Sequence, residues 1–354
     1  MRDFLGKFNI EISKDHPDIF KVAKEQLESR ENEIFDFEKY RAFNKMEADI
    51  ASLRDSLLNY RDNALYCYIL SSALRLGKKE LVSEISKPNE ALHDEKYDIL
   101  PLFGLLDLVP DMLSIHKERG LAEQVSRDSL EMFENQVGDY ILLNHRYGIS
   151  DYVGWMWGFL RGDIIRIGRF NFEIGKYGFP YRIFKKGSEL SALATEGISE
   201  SGEFYLGTSA SGEKISLAKS EWTPVLSGGE QVVSLHIPTG GPLTEEVCER
   251  DISLGREIIS RGYGEISALV CHSWLLDPNL SRLIGRETNL TRFAKRFMLL
   301  PSDGDGKEVF KYVWDLKEEP KELSELSDDT HLKRVIKEHL LSGGRIFGGY
   351  GVFL

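Results

Sequence analysis

Gln231-Val232-Val233-Ser234-Leu235-His236-Ile237-Pro238-Thr239-Gly240-Gly241-Pro242-Leu243-Thr244-Glu245-Glu246 is a strand, a turn and a helix start written in succession. Val232 to Ile237 is a near-continuous apolar run, the pattern of a strand covered on both faces. Pro238 to Pro242 cannot continue it and reads as a turn, and a helix is expected from Leu243 to about Arg261. A second apolar strand is expected from Ile266 to His272, followed through Ser273-Trp274 by a short helix around Pro278–Ile284. Two further strands are expected at about Thr291–Leu299 and Val309–Trp314, then a helix at His331–Leu341 and a final strand within Arg345–Leu354. Strand-helix-strand order implies mostly parallel pairing, because parallel neighbours need a crossover.

Upstream of this segment, Ile164–Ile174 alternates around Gly168, and Tyr181–Phe184 follows a Gly-Phe-Pro turn. Residues 187–230 are rich in Gly, Ser, Thr and Glu and read as hairpins and loops, with strands at Phe204–Leu206 and Ile215–Ala218. Earlier still, the chain changes character. Residues 1–150 hold 6 of the 32 glycines, so the first part is expected to be helical and the second strand- and loop-rich. Two domains are therefore expected, at 1–150 and 151–354, as befits 354 residues. The first carries helical spacing: Ile19, Val22, Ala23 and Leu27 on one face, Ile50, Leu53, Leu57 and Leu58 on another, and a helix from Leu121 to about Asn144 facing inward through Val125, Leu130, Phe133, Val137 and Ile141. Pro101 and Pro110 bound a short apolar segment, and the aromatic stretch at 151–162 (Trp155, Met156, Trp157, Phe159) is expected to pack between the domains.

Composition excludes some partners. A formal charge of −12 lacks the basic face that a nucleic-acid backbone or an anionic membrane requires. Met1–Gly6 has no apolar signal-peptide stretch, and the most apolar window, Ala64–Leu76, is broken by Ser71, Ser72 and Arg75 and reads as a core helix. Cys67, Cys248 and Cys271 are odd in number and scattered, which suits a reducing compartment, the cytoplasm, and neither disulfides nor zinc.

Two places carry candidate chemistry. Gly240 and Gly241 let the backbone approach a ligand, and the helix after them offers free N–H groups and a positive dipole end, which suits a pyrophosphate. The same residues also make a plain helix start, with Pro242 early and Glu245 and Glu246 next. Cys271-His272-Ser273-Trp274 lies at a strand's C-terminal end, where open α/β sheets bind ligands. His236 ends the preceding strand, so the two imidazoles are expected to approach each other. A His there takes a proton from an amine, and Ser or Cys gives one to a leaving thiolate. No Gly-x-Ser-x-Gly elbow surrounds Ser273, and no ligand spacing supports a metal at His236, His272 or Asp277. Arg292, Lys295 and Arg296, read as strand residues, put Arg292 and Arg296 on one face, toward a phosphate or toward solvent. The acidic run Lys317–Asp329 reads as a solvated linker.

Leu235–Thr244, then Val270–Pro278, then Asn289–Phe297 together resemble the two-domain bacterial proteins that join a helical N-acyltransferase N-terminal domain to a GNAT-like C-terminal domain. The resemblance implies an α/β (overall α+β) chain, a helical N-terminal domain followed by a GNAT-like mixed-sheet α/β domain. It implies acyl-CoA or acetyl-CoA as co-substrate, a small-molecule amine or peptide acceptor, and direct transfer in a ternary complex. On that reading Thr239, Gly240, Gly241, Leu243 and Thr244 hold the CoA phosphates, His272 is the general base, Ser273 donates a proton to the thiolate, and His236 can exchange roles with His272. Thr239–Pro242 departs from the usual spacing of the GNAT phosphate loop. The alternatives are a hydrolase using Ser273 or Cys271, and a non-catalytic acyl-CoA sensor.

Overall fold

The structure is a computed structural model that describes residues 9, 11–29, 40–88 and 94–354; the opening segment Met1–Gly6 lies outside the described residues. The chain divides into two compact units, Met1–Arg166 and Ile167–Leu354. The division falls later than the composition break near residue 150 because the aromatic stretch folds as a helix of the first unit.

Among its described residues the first unit is helical: α1 (Pro17–Ser29), α2 (Glu47–Leu58), α3 (Arg61–Arg75), α4 (Lys79–Ile85), α5 (Leu100–Leu106), α6 (Val109–Glu118), α7 (Glu123–Asn144) and α8 (Val153–Leu160). Helix α3 is the central rod, buried from Ala64 through Leu74 on nearly every side. That burial explains why its sequence lacks a polar stripe. Arg75, in its last turn, bridges Asp107 and Asp111 at 2.7 Å each. Pro101 and Pro110 open α5 and α6, where a missing N–H costs nothing. The run Glu95–Glu118 is long and apolar enough to cross a membrane, but 72% of its most apolar window is buried inside the protein, the situation of a core helix. In α1, Ile19, Ala23 and Leu27 are buried and Val22 faces out. In α8, Met156, Trp157 and Phe159 pack into the helical unit's own core, where the sequence suggested an interdomain face.

From residue 164 onward the chain forms a six-stranded sheet in the order β1-β2-β9-β10-β12-β11, with β1 (Ile164–Ile167), β2 (Phe170–Lys176), β9 (Gln231–His236), β10 (Leu269–Ser273), β11 (Met298–Pro301) and β12 (Gly349–Phe353). Two three-stranded sheets fill residues 181–226: β4-β3-β8 (Glu189–Ala194, Tyr181–Lys186, Thr223–Leu226) and β5-β6-β7 (Ser199–Ser201, Phe204–Thr208, Lys214–Ala218). The pair β9–β10 is parallel, whereas β2–β9, β10–β12 and β11–β12 are antiparallel. The expectation of mostly parallel pairing fails because a single long helix, α9 (Glu245–Tyr263), makes a crossover between sheet neighbours.

Two segments expected as strands are helical instead. Val309, Phe310, Val313 and Trp314 are all buried on α12 (Glu308–Trp314), after the short helices α10 (Leu280–Ile284) and α11 (Asn289–Ala294). Their one- and four-residue spacing is a helical stripe that a six-residue window cannot tell from a strand. The stretch from Thr291 begins in α11, capped by the Thr288 hydroxyl accepting from Thr291 N at 3.2 Å, and becomes strand only at Met298. Arg292 therefore sits on a helix, with Arg296 just past its end. The remaining helix, α13, spans His331–Leu341 as its periodicity predicts.

Candidate active site at the splayed strands

The parallel pair opens where the site residues lie. Register partners run Leu269–Val233 and Val270–Ser234 and then stop. Yet β9 stays paired with β2 as far as His236–Asn171, and β10 with β12 as far as Ser273–Gly349. Each strand is held by its outer neighbour while the inner edges part. The result is a wedge with His236 on one arm and His272 on the other.

Alternation along the strands assigns faces. Val232, Ser234 and His236 share one face of β9; Val270 and His272 share that face of β10. Phe172 and Phe353 lie on the opposite face, under α9: a side-chain carbon at Gly255 of α9 would sit 2.2 Å from Phe172 Cζ, and Arg256 lies over Phe353. Antiparallel pairing places Glu173 of β2 on the histidine face, diagonal to His236. Its Oε2 lies 2.8 Å from His236 Nε2, with the two side chains 42% and 35% exposed. A carboxylate at that distance orients the ring. His272 is exposed, and its ring stacks on Tyr350, its direct partner on β12, at 4.6 Å between centroids. Burial and the Asp303 carboxylate raise the Tyr350 hydroxyl above its ordinary range.

Ser273 points to the other face. Its Oγ accepts from Leu275 N at 3.2 Å and caps the turn Trp274–Leu276. Cys271 shares that face, is buried, and burial pushes its thiol up to about 12. An un-ionised thiol turned away from both imidazoles is not an activated nucleophile. Asp277 starts the next turn, as its sequence suggests: Oδ1 accepts from Asn279 N at 2.7 Å, and Oδ2 accepts from Phe347 N at 2.8 Å, fastening the segment before β12.

The glycine turn sits at the mouth of the wedge. Thr239, Gly240 and Gly241 are exposed, and both glycines adopt left-handed backbone, φ 79° and 70°, which other residues resist. A side-chain carbon at Gly240 would meet nothing within 4 Å; at Gly241 it would lie 3.4 Å from Arg169 Nε. Thr244 is the N-cap of α9, its hydroxyl accepting from Val247 N, and Leu243 is buried beneath. Arg296 Nη2 reaches the Glu245 carbonyl at 3.4 Å. Both guanidiniums act on the buried Cys248 of the first turn of α9: burial raises its thiol, and Arg296 and Arg169 oppose that rise. Two cations thus flank the helix N-terminus, alongside the exposed Glu245 and Glu246 and the buried Asp251. The backbone at Arg169 is fastened to α9, where Asp251 Oδ2 accepts from Arg169 N at 2.8 Å. The loop suits a polyanionic group: open amides, two arginines and a helix dipole.

Glu173 and Arg169 were not singled out in the sequence. Glu173 left a trace, since Asn171, Glu173 and Gly175 alternate with Phe170, Phe172 and Ile174 and so mark a polar face on β2. Among the described residues no group of three or more His, Cys, Asp and Glu is arranged to hold a metal.

Comparison with known proteins identifies the domains. Residues 164–353 match the model of the GNAT-like C-terminal domain, and residues 37–162 that of the N-acyltransferase N-terminal domain. No curated protein matches the chain. Among solved structures it is similar to an acyltransferase in complex with decanoyl-CoA (18% identity, 82% of this chain and 77% of that one, TM-score 0.57). It is likewise similar to an acyltransferase in complex with decanoyl-CoA and teicoplanin (19% identity, 82% and 78%, TM-score 0.57). At such identities the likeness carries the fold.

Proposed function

Because the chain belongs to the proteins that join an N-acyltransferase N-terminal domain to a GNAT-like C-terminal domain, we propose that it transfers an acyl group from acyl-CoA directly to an amine on a small molecule. The observation that carries this reading is the wedge between β9 and β10 with the glycine turn, flanked by Arg169 and Arg296, at its mouth. An anionic carrier held at Gly240, Gly241, Thr244, Arg169 and Arg296 can lay its thioester arm into the opening, within reach of groups on both strands. The similar structures hold decanoyl-CoA, and one holds teicoplanin as well, which supports an acyl-CoA donor and a small-molecule acceptor here.

In the proposed reaction the neutral amine attacks the thioester carbonyl carbon; the C–N bond forms, the C–S bond breaks, and an amide and the CoA thiol result. His236 takes the proton lost by the nitrogen and passes it to solvent. Glu173 holds its ring in one orientation, so the role that the resemblance placed on His272 passes to His236. His272 lines the opposite arm. Ser273, whose Oγ lies on the other face and caps the turn Trp274–Leu276, is not placed to serve the thiolate as the resemblance implied, and the departing thiolate takes its proton from water. Positioning two substrates in one cleft supplies most of the rate in such a ternary step. The compartment is the cytoplasm, in keeping with the three unpaired, buried cysteines.

Calorimetry with a series of acyl-CoAs, followed by thiol-release assays against an amine panel, tests the proposal. Binding that Arg296→Ala weakens, with amide product found by mass spectrometry, supports it. A covalent acyl adduct on the protein, or tight acyl-CoA binding with no product from any amine, overturns direct transfer.

A further inference from the structure

On the histidine face, the arm that carries His272 continues into a strip of rings. Tyr350 stacks against His272 at 4.6 Å; Phe179, in the β2–β3 connection, lies 4.3 Å from Tyr350; Tyr181 meets Tyr350 edge-on at 6.4 Å. Phe179, Tyr181 and Tyr350 are half-buried and His272 is exposed, so part of the strip remains open to solvent. The strip is fixed from below and at its far end. Tyr177 packs against Phe179 at 5.4 Å, the Tyr181 hydroxyl donates to Pro301 O at 3.2 Å, and the Tyr350 hydroxyl donates to Asp303 Oδ1 at 3.3 Å. Such hydrogen bonds hold the rings in one orientation with little entropy left to lose on binding.

We infer that this strip is the acceptor subsite, and that the amine it selects is carried on an aromatic ring. The inference rests on the acyl-transfer reading and names its substrate class. The strip begins at His272, on the wedge where the amine must arrive, and runs outward along β12, so a ring seated on Tyr350 and Phe179 leaves its aminoalkyl arm directed at the opening. Charge agrees: Glu173 at the wedge and Asp303 at the far end are carboxylates, which attract an ammonium group before it is deprotonated, and flat ring faces favour both an aryl ring and a nearby cation. A purely aliphatic amine gains area but no stacking.

The test compares 2-phenylethylamine with octylamine, which has the same number of carbons, for the wild-type chain and for Tyr350→Leu and Tyr350→Phe. The wild type is expected to show the lower KM for 2-phenylethylamine. In Tyr350→Leu that KM should rise about three- to tenfold more than the KM for octylamine, the size of one lost ring stack. Tyr350→Phe, which keeps the ring, should retain the preference. Equal effects on both amines, or an octylamine preference in the wild type, overturn the inference while leaving acyl transfer intact. Direct binding of 2-phenylethylamine, followed by NMR without acyl-CoA, separates the two claims. Binding that is lost in Tyr350→Leu upholds the strip even if no amide forms; no binding together with no preference refutes it.

Discussion

Glu173→Gln tests whether the carboxylate beside His236 acts in the chemistry. The substitution keeps the shape of the side chain and its ability to accept from Nε2, and removes only the charge. A hydrogen bond to a charged group contributes roughly 1.5–3 kcal/mol in a shielded setting. Here the two side chains are 35% and 42% exposed, so water and salt screen the pair and about 1 kcal/mol is a sounder figure. That corresponds to about a fivefold drop in kcat, because the carboxylate's charge counts most as the ring takes up the proton in the transition state. The KM for acyl-CoA should hardly move, since the glycine turn is built from other residues. Thiol release at saturating acyl-CoA and amine measures the first quantity, and a titration of acyl-CoA the second. His236→Ala should cost more, on the order of a hundredfold or above, and adding Glu173→Gln to it should cost nothing further. An unchanged kcat in Glu173→Gln, or a full additional loss in the double variant, refutes the assignment of His236 as a base oriented by Glu173.

Arg296→Ala should weaken acyl-CoA binding roughly tenfold in calorimetry, with the wild type losing part of its affinity as salt is raised. Equal affinities would place the phosphates elsewhere. Gly255→Ala drives a methyl group into Phe172, 2.2 Å from Cζ, and should destabilise the chain by about 1–3 kcal/mol in urea denaturation; no loss would mean that α9 moves freely on the sheet. In the helical unit, burial holds His116 down to about 4, against an ordinary value of 6.5, with Ser126 Oγ 2.9 Å from Nδ1. The unfolded chain therefore binds a proton that the folded chain refuses. Stability is complete above about pH 6.5 and falls between pH 6.5 and 4, by at most ~3 kcal/mol. Denaturation midpoints of the wild type and His116→Gln across that range should converge as the pH falls.

What could be read from the residues and what could not divide along the distance over which each contact acts. The β9-turn-α9 unit was legible because everything that defines it is local: an apolar run, two glycines that take left-handed backbone, and a Thr N-cap two residues after Pro242. The helical unit was legible for the same reason, down to α13 at residues 331–341 and the inward face of α7. The segments at Thr291–Leu299 and Val309–Trp314 were misread because short apolar runs fit either period, and what decides them is the Thr288 cap or the core they meet. The His236–Glu173 pair lies beyond any such reading. Its partners stand 63 residues apart, and they meet only because β2 pairs antiparallel with β9 in one register; a slip of one residue would send Glu173 to the α9 face. That register is itself set by local features, since Phe170 and Phe172 must face the α9 side of the sheet. The catalytic pairing is thus a by-product of core packing: the side chains that bury one face of β2 dictate which polar residue of its other face arrives beside the histidine.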